Sequence, residues 1–333
     1  MERVLIIAEA GVNHNGKLDL AYKLCDAAKE AGVDIIKFQT WNTDLVITKN
    51  TRMAEYQVEN LSSSESQYEM LKKLELSYAQ FRHIKEHCDN IGIRFLSTAD
   101  ERESLDFLID LGIDLVKLGS GEITNIPYLR YVGGLHLPVI LSTGMSNLAQ
   151  VAIAYDTLNK SGANDISLLH CTTNYPCSME EVNLRAMITL RDAFKCSVGY
   201  SDHTLGIEVP VAAVALGAEI IEKHFTLDRN MVGPDHKASL EPSELKLMVQ
   251  QIRNIEVALG DGIKRPNRSE EENAKVVLKS ILARCPIKKG ELLTPNNLVV
   301  KRTSSGISAK FWDFVIGTKA LYDYETDEPI KFY

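Results

Sequence analysis

Short apolar runs rich in β-branched residues alternate along the chain with stretches whose apolar positions recur every three or four residues. The runs are Val4–Ala8, Asp34–Phe38, Ile93–Leu96, Leu115–Leu118, Pro138–Leu141, Ile166–Leu169, Cys196–Gly199 and Glu219–Glu222. Between the first two, Leu20, Leu24, Ala27, Ala28 and Ala31 form one helical stripe that stops at Gly32. Eight strand–helix repeats predict an α/β fold, a (β/α)8 TIM barrel closing near residue 260, close to the ~250 residues usual for that architecture. The competing fold, a doubly wound sheet, lacks its G-x-G-x-x-G signature, because the first strand runs instead into Glu9-Ala-Gly-Val-Asn-His-Asn-Gly16. Pro242 opens a final helix with Leu245, Met248, Ile252, Ile255 and Leu259 on one face, ending at Gly260.

A polar segment containing Pro266 follows, and then a second unit of about 55 residues. It carries strand patterns at Ser280–Ala283 and Leu298–Val300, a Lys289-Gly290 turn and a short aromatic helix around Phe311-Trp312. The division predicted is a barrel over 1–262, a linker over 263–279 and a small domain over 280–333. A unit that small is marginal alone and is expected to pack on a partner.

Composition narrows the function. With 37 basic and 45 acidic residues the net charge is −8, which leaves nucleic acid and anionic membranes without a general binding surface. The longest apolar run, Val209 to Ala218, is far below the roughly 18 residues of a membrane span, and the segment before Glu9 is too short for a signal peptide. Six scattered cysteines without a C-x-x-C pair read as reduced thiols, so a cytoplasmic protein is expected.

The chemistry lies in what ends each strand. In a barrel the C-terminal strand ends converge on one face, although far apart in sequence. In order they carry Glu9, Lys37 with Gln39, Ser97-Thr98, Lys117 with Ser120 and Glu122, Ser142-Thr143, Thr172 to Tyr175, Ser201-Asp202-His203, and Glu222-Lys223-His224. Lys37 and Lys117 sit inside strands, and half-buried ammonium groups beside the hydroxyls of Thr98, Ser120, Ser142 and Ser201 make a cradle for phosphate and carboxylate. The plainer reading is a structural ion pair with Glu9 or Glu222. His203 and His224, on neighbouring strand ends, could share one divalent ion, Mn or Mg, with oxygen ligands completing it. Each histidine alone reads equally as a hydrogen-bonded core residue. Glu9, Glu122, Glu222 and Asp235 are candidate acids or bases. Asp202 either orients His203 or takes part in chemistry. Asn13-His14-Asn15-Gly16 either lines the site or is an ordinary turn, and His170 and His236 read as a core and a loop residue.

The segments AEAGVNHNG (8–16), KFQT (37–40), FLSTADE (95–101), KLGSGEITNIPYL (117–129), STGM (142–145), LHCTTNYP (169–176), GYSDHTLG (199–206), IEKHFTLD (221–228) and GPDHKAS (233–239) together resemble the N-acetylneuraminate (sialic acid) synthase family, which includes legionaminic acid synthases. The resemblance runs over nearly the whole chain. SILARCPIKKGELLT (280–294) and KRTSSGIS (301–308) resemble that family's antifreeze-like (SAF) domain. It implies a metal-dependent condensation of phosphoenolpyruvate with an N-acetylated hexosamine, releasing phosphate. By matching position, phosphoenolpyruvate would be held by Lys37, Thr98, Lys117, Ser120, Ser142 and Ser201, and the metal by His203 and His224. Glu9, Glu122, Tyr175 and Asp235 would surround the sugar, with Glu122 the main proton carrier. Arg302 would reach the sugar of a partner subunit, implying a domain-swapped homodimer, although Thr303 stands where the family has Pro. Thr173 and Asn174 compete for one sugar contact, and Asn60 matches loosely. The expected sugar is N-acetylmannosamine; the alternative is 2,4-diacetamido-2,4,6-trideoxymannose. The long loop over 41–77, with Gln57, Asn60, Gln67, Met53, Tyr56 and Tyr68, is expected to set that choice. A Schiff-base aldolase using Lys37 or Lys117 and a catalytically silent sugar-binding protein are the competing functions.

Overall fold

The computed structural model describes residues 3–61 and 65–332, in two compact units, 1–260 and 261–333. In the first, eight parallel strands pair in sequence order and β8 closes on β1. They are β1 (Leu5–Gly11), β2 (Ile35–Thr40), β3 (Arg94–Ala99), β4 (Val116–Leu118), β5 (Val139–Ser142), β6 (Ile166–His170), β7 (Val198–Asp202) and β8 (Ile220–His224). Every predicted strand exists. Most run one to three residues further toward their C-terminal ends than the apolar pattern, because polar residues continue the ladder into the barrel mouth.

Side-chain alternation builds the interior in layers. Outward positions such as Ile6, Ala8, Ile36, Phe38, Leu118, Leu141, Leu168 and Ile221 join the helices in one large core. Inward positions Ile7, Ile35, Leu96, Leu115, Ile140, Leu169 and Ile220 form a separate apolar plug. Gly199 takes the remaining place: a Cβ there would lie 2.7 Å from Leu169 Cδ2 and 2.2 Å from the Ile220 carbonyl oxygen. The helices follow the expected pattern. Leu18–Ala31 buries Ala21, Leu24, Cys25, Ala28 and Ala31 and ends at Gly32 in the left-handed conformation (φ 84°), and Pro242–Leu259 buries Leu245, Met248, Val249 and Ile252.

The long connection after β2 contains the helices Thr43–Val46, Glu55–Leu61 and Gln67–Leu74; residues 62–64 within it lie outside the described residues. In the second unit the polar segment becomes a helix at Arg268–Val277. Strand β9 (Lys279–Ala283) then pairs antiparallel with β10 (Leu298–Arg302). Ile281, Ile287, Leu293, Leu298, Val315, Tyr324 and Ile330 give this unit its own small core. All six cysteines are free, Cys25 and Cys88 lying 3.4 Å apart between two barrel helices. Among the described residues no helix is long and apolar enough to cross a membrane.

Candidate active site

Two residues beyond the apolar plug, the same inward parity turns polar. Glu9, Lys37, Thr98, Lys117, Ser142, Cys171, Ser201 and Glu222 form the floor of a cavity of about 150 Å³. Gln39, Asp100, Gly119, Ser120, Tyr175, His203 and His224 form its walls. One alternating rule thus carries each strand from hydrophobic plug to reactive surface.

Ion pairs knit the floor. Lys37 Nζ lies 2.7 Å from Glu9 and 3.7 Å from Glu222, and donates to Thr98 Oγ1 at 3.0 Å. Lys117 Nζ donates to Ser142 Oγ at 2.8 Å and lies 3.5 Å from Glu222 Oε1. The structural pairs with Glu9 and Glu222 therefore exist, and they leave the hydroxyls and ammonium groups facing the cavity. Burial works to raise the Glu222 carboxyl, but Lys117 and Lys37 overcome it and hold the group at about 2. Burial raises Glu9 despite Lys37. Burial lowers Lys117 despite Glu222, while for Lys37 the two glutamates outweigh burial and raise it.

The histidines meet as expected. His203 and His224 lie with ring centroids 5.4 Å apart, and Tyr175 packs against both, at 4.1 and 5.4 Å. Burial lowers both imidazoles, further for His224 with His203 beside it, so both sit in the neutral form that ligates metals. His203 Nδ1 bonds the Thr172 carbonyl oxygen at 2.6 Å, a contact that fixes the ring and leaves its other nitrogen free of that task. His224 Nδ1 is buried without a hydrogen bond, the Asp235 carboxylate standing 3.9 Å away. An orphaned imidazole nitrogen beside a second oriented imidazole and a carboxylate suits a divalent cation. Among the described residues no ready cluster of three or more His, Cys, Asp or Glu side chains forms a metal cage, so most ligand positions would fall to substrate and water.

Other predicted residues fall outside the cavity wall. Glu122 lies in the short 3-10 turn Ser120–Thr124, half-buried, its carboxylate accepting from Asn125 Nδ2; burial raises it. Asp235 is buried behind the histidines and pushed up to about 7 by burial, then by Glu9. Arg302 ends β10 in the second unit and is exposed. Asp202 does not bond the His203 ring; its carboxylate holds Thr204 and Lys223. Asn13-His14-Asn15-Gly16 is neither lining nor a bare turn. Asn13 Nδ2 donates to the Phe225 carbonyl oxygen and to Ser239 Oγ, and His236, fully buried, bonds Thr226 and Asn15. These contacts lash the loop after β1 to the loop carrying Asp235, so His236 is a brace where sequence alone offered only a loop residue. His170 is half-buried, bonded to the Val182 carbonyl oxygen.

In the loop over 41–77 most of the named polar side chains bond one another. Gln67 bonds Gln57, and Tyr68 bonds Asp44, within the loop itself. Asn60 alone of its named polar residues reaches across, donating to the Pro234 carbonyl oxygen beside Asp235. The Tyr56 side chain lies outside the described residues. Asp100 was not singled out from the sequence. Its carboxyl lines the cavity and is raised to about 7, by burial first and then by Glu122. Parity along β3 was the available signal, since Asp100 follows Leu96 and Thr98 at steps of two.

A closed barrel that gathers two lysines, two neutral histidines and several carboxyls at its C-terminal mouth is a TIM-barrel enzyme. Comparison narrows the class to one family. The NeuB family matches residues 24–264 and the SAF domain matches 279–332, and the chain belongs to the NeuB family. It is 50% identical to the N,N'-diacetyllegionaminic acid synthase of Campylobacter jejuni, over 99% of this chain and 100% of that one. It is 48% identical to the enzyme of that name from Legionella pneumophila, over 94% and 89%. The crystal structure of N-acetylneuraminic acid (sialic acid) synthetase from Leptospira borgpetersenii in complex with citrate superimposes with a TM-score of 0.72 at 35% identity, covering 82% of this chain and 91% of that one.

Proposed function

We propose that the protein condenses phosphoenolpyruvate with 2,4-diacetamido-2,4,6-trideoxymannose, giving N,N'-diacetyllegionaminic acid and phosphate. The carrying observation is the cavity floor, where Lys37 and Lys117 face a space ringed by Thr98, Ser142 and Ser201 hydroxyls. Charged and hydroxyl donors of this kind suit an anion with a phosphoryl and a carboxylate end. N-acetylmannosamine, the sugar expected from sequence, gives way to the diacetamido sugar because the two relatives sharing about half their residues bear the legionaminic name, while the sialic acid synthetase shares 35%.

In this reading Lys37, Lys117, Ser120, Ser142, Ser201 and Thr98 fix phosphoenolpyruvate so that its enol carbon faces the sugar aldehyde. A divalent cation, Mn or Mg, held by His203 and His224, would supply Lewis acidity toward the aldehyde oxygen. Asp235, raised to about 7 by burial, stands 3.9 Å from His224 where that oxygen gains its proton, and Glu9, the register partner of His224, is held beside it in its pair with Lys37. Water adds to the cationic C2, and its proton passes toward Asp100 on the cavity wall, whose carboxyl the charge of Glu122 helps to raise, with Glu122 as the onward acceptor. Breaking the C–O bond of the resulting intermediate releases phosphate and leaves the 2-keto acid. Tyr175 packs beside the sugar, and Arg302 of a second copy completes the sugar site in a domain-swapped homodimer. The protein works in the cytoplasm, where phosphoenolpyruvate is available.

The test is phosphate release and product mass with phosphoenolpyruvate and each sugar at equal concentration. A site that hydrogen-bonds a substrate group can reject an analogue lacking it by about 10⁴-fold, so a clear preference is expected. At least about tenfold higher kcat/KM for the diacetamido sugar supports the reading. The reverse preference makes the enzyme an N-acetylneuraminate synthase.

A further inference from the structure

Between the two histidine-bearing strand ends lies a charge pair that the condensation does not use. Asp202 and Lys223 are register partners on β7 and β8, each one residue before a histidine of the pair. Both side chains point away from the cavity and are 0% exposed. Of the described ion pairs, this is the one with both members wholly excluded from water. Lys223 Nζ donates to the Asp202 carboxylate and to the Thr204 carbonyl oxygen. Asp202 Oδ1 accepts from the Thr204 amide at 3.0 Å and from its hydroxyl at 2.9 Å. The three residues therefore close a ring around the backbone of His203, whose own carbonyl oxygen accepts from the Cys177 amide at 2.8 Å.

Stability is a weak reason for such a pair. Taking both charges out of water costs several kcal/mol per ion, and apolar residues of similar volume often serve as well or better. Neighbouring outward positions do use apolar residues: Leu168, Tyr200 and Ile221 all belong to the helix-facing core. What an ion pair adds is register and direction, its best-attested use. Slippage of β7 against β8, or rotation of the 202–204 turn, would move His203 relative to His224.

We infer that Asp202, Lys223 and Thr204 are positioning residues that fix the His203–His224 pair in the geometry of a divalent-cation site. The inference rests on the proposed metal role of those histidines. None of the three touches substrate; they act through the backbone of His203 and the start of the loop after β7. Groups that orient metal ligands from behind typically change metal affinity by about 10- to 100-fold when removed.

The test is Mn²⁺ affinity of the full-length protein, read by electron paramagnetic resonance of the free ion, with thermal melting to confirm folding. The charge-free double variant D202N/K223M is expected to bind Mn²⁺ about 10- to 100-fold more weakly while still melting cooperatively. Thr204→Val, which keeps the ion pair but loses the hydroxyl, should weaken binding in the same direction, and Thr204→Ser should restore it. If the double variant does not fold, the Thr204 pair decides. A folded double variant within about twofold of wild type, or equal affinities for Thr204→Val and Thr204→Ser, overturns the inference while leaving the metal site standing. Absence of Mn²⁺ binding by the wild type overturns the metal reading and the inference with it.

Discussion

Replacing Lys117 with Met removes a charge from the cavity floor while keeping a side chain of similar length. Lys117 lies 3.5 Å from Glu222 Oε1, and at an effective dielectric constant near 20 that attraction is about 5 kcal/mol before desolvation is counted. Lys37, 3.7 Å from the other oxygen, supplies a comparable pull, so Glu222 stays ionised in the variant. Its negative charge, no longer shared, then opposes an incoming anion. The lost charge-assisted contact is worth about 1.5–3 kcal/mol, which converts to a rise in phosphoenolpyruvate KM of roughly 10- to 150-fold, toward the upper end because of the exposed repulsion. Lys117→Met/Glu222→Gln should recover part of that loss, because it deletes the repelling charge together with its partner. A stability cost accompanies the single change. With Glu222 at about 2 in the fold and near 4.5 unfolded, its pairing contributes at most about 3 kcal/mol at neutral pH, part of it returned by the burial of Lys117. Because the folded value is depressed, that contribution is complete above pH 4.5 and fades as pH falls toward 2. Steady-state kinetics following phosphate release, with each substrate varied while the other saturates, reads the effect. Equal KM increases for phosphoenolpyruvate and sugar, or no recovery in the double variant, would refute the reasoning.

His203→Ala and His224→Ala should each remove most activity yet melt like the wild type, and chelation should reproduce the loss; full turnover of either variant in metal-stripped buffer would sink the metal assignment. Asp100→Asn should raise the melting temperature at pH 8 but not at pH 4. Its folded carboxyl is raised to about 7, so stability held below the unfolded value near 3.8 is lost as pH climbs through 7, and the amide escapes that loss. A variant that shows the same melting difference at both pH values contradicts the burial account. Arg302→Ala should raise the KM for the sugar and leave that for phosphoenolpyruvate near wild type, since the arginine ends a strand of the second unit and the anion site is built wholly from the barrel. Unchanged sugar kinetics would remove Arg302 from the site.

The sequence revealed the barrel because strand and helix periods alternate cleanly, with Gly32 and Gly92 stopping two of the barrel helices in the left-handed conformation. Lys37, Lys117, His203 and His224 were also legible, as ionisable residues at apolar strand ends. Asp100 escaped notice for want of one step: counting by twos from Leu96 through Thr98 leads to it. Contacts between loops were a different matter. Nothing in Asn13 or His236 alone announces that they meet Phe225, Ser239, Thr226 and Asn15, because those partners are assigned only when the strand order closes β8 on β1. For the same reason Asp202, adjacent to His203 in sequence, turned out to face Lys223: alternation sends neighbouring side chains to opposite faces of the strand.

In the proposed reaction the cavity floor holds phosphoenolpyruvate while its enol carbon joins a sugar aldehyde and its phosphate leaves with the bridging oxygen. Phosphoenolpyruvate labelled with ¹⁸O at the bridging position, turned over with 2,4-diacetamido-2,4,6-trideoxymannose and read by mass spectrometry of both products, tests it directly. Label recovered in inorganic phosphate, with none in the nine-carbon acid, is the predicted result. Label retained in the acid, or phosphoenolpyruvate left unconsumed beside either sugar, would contradict it.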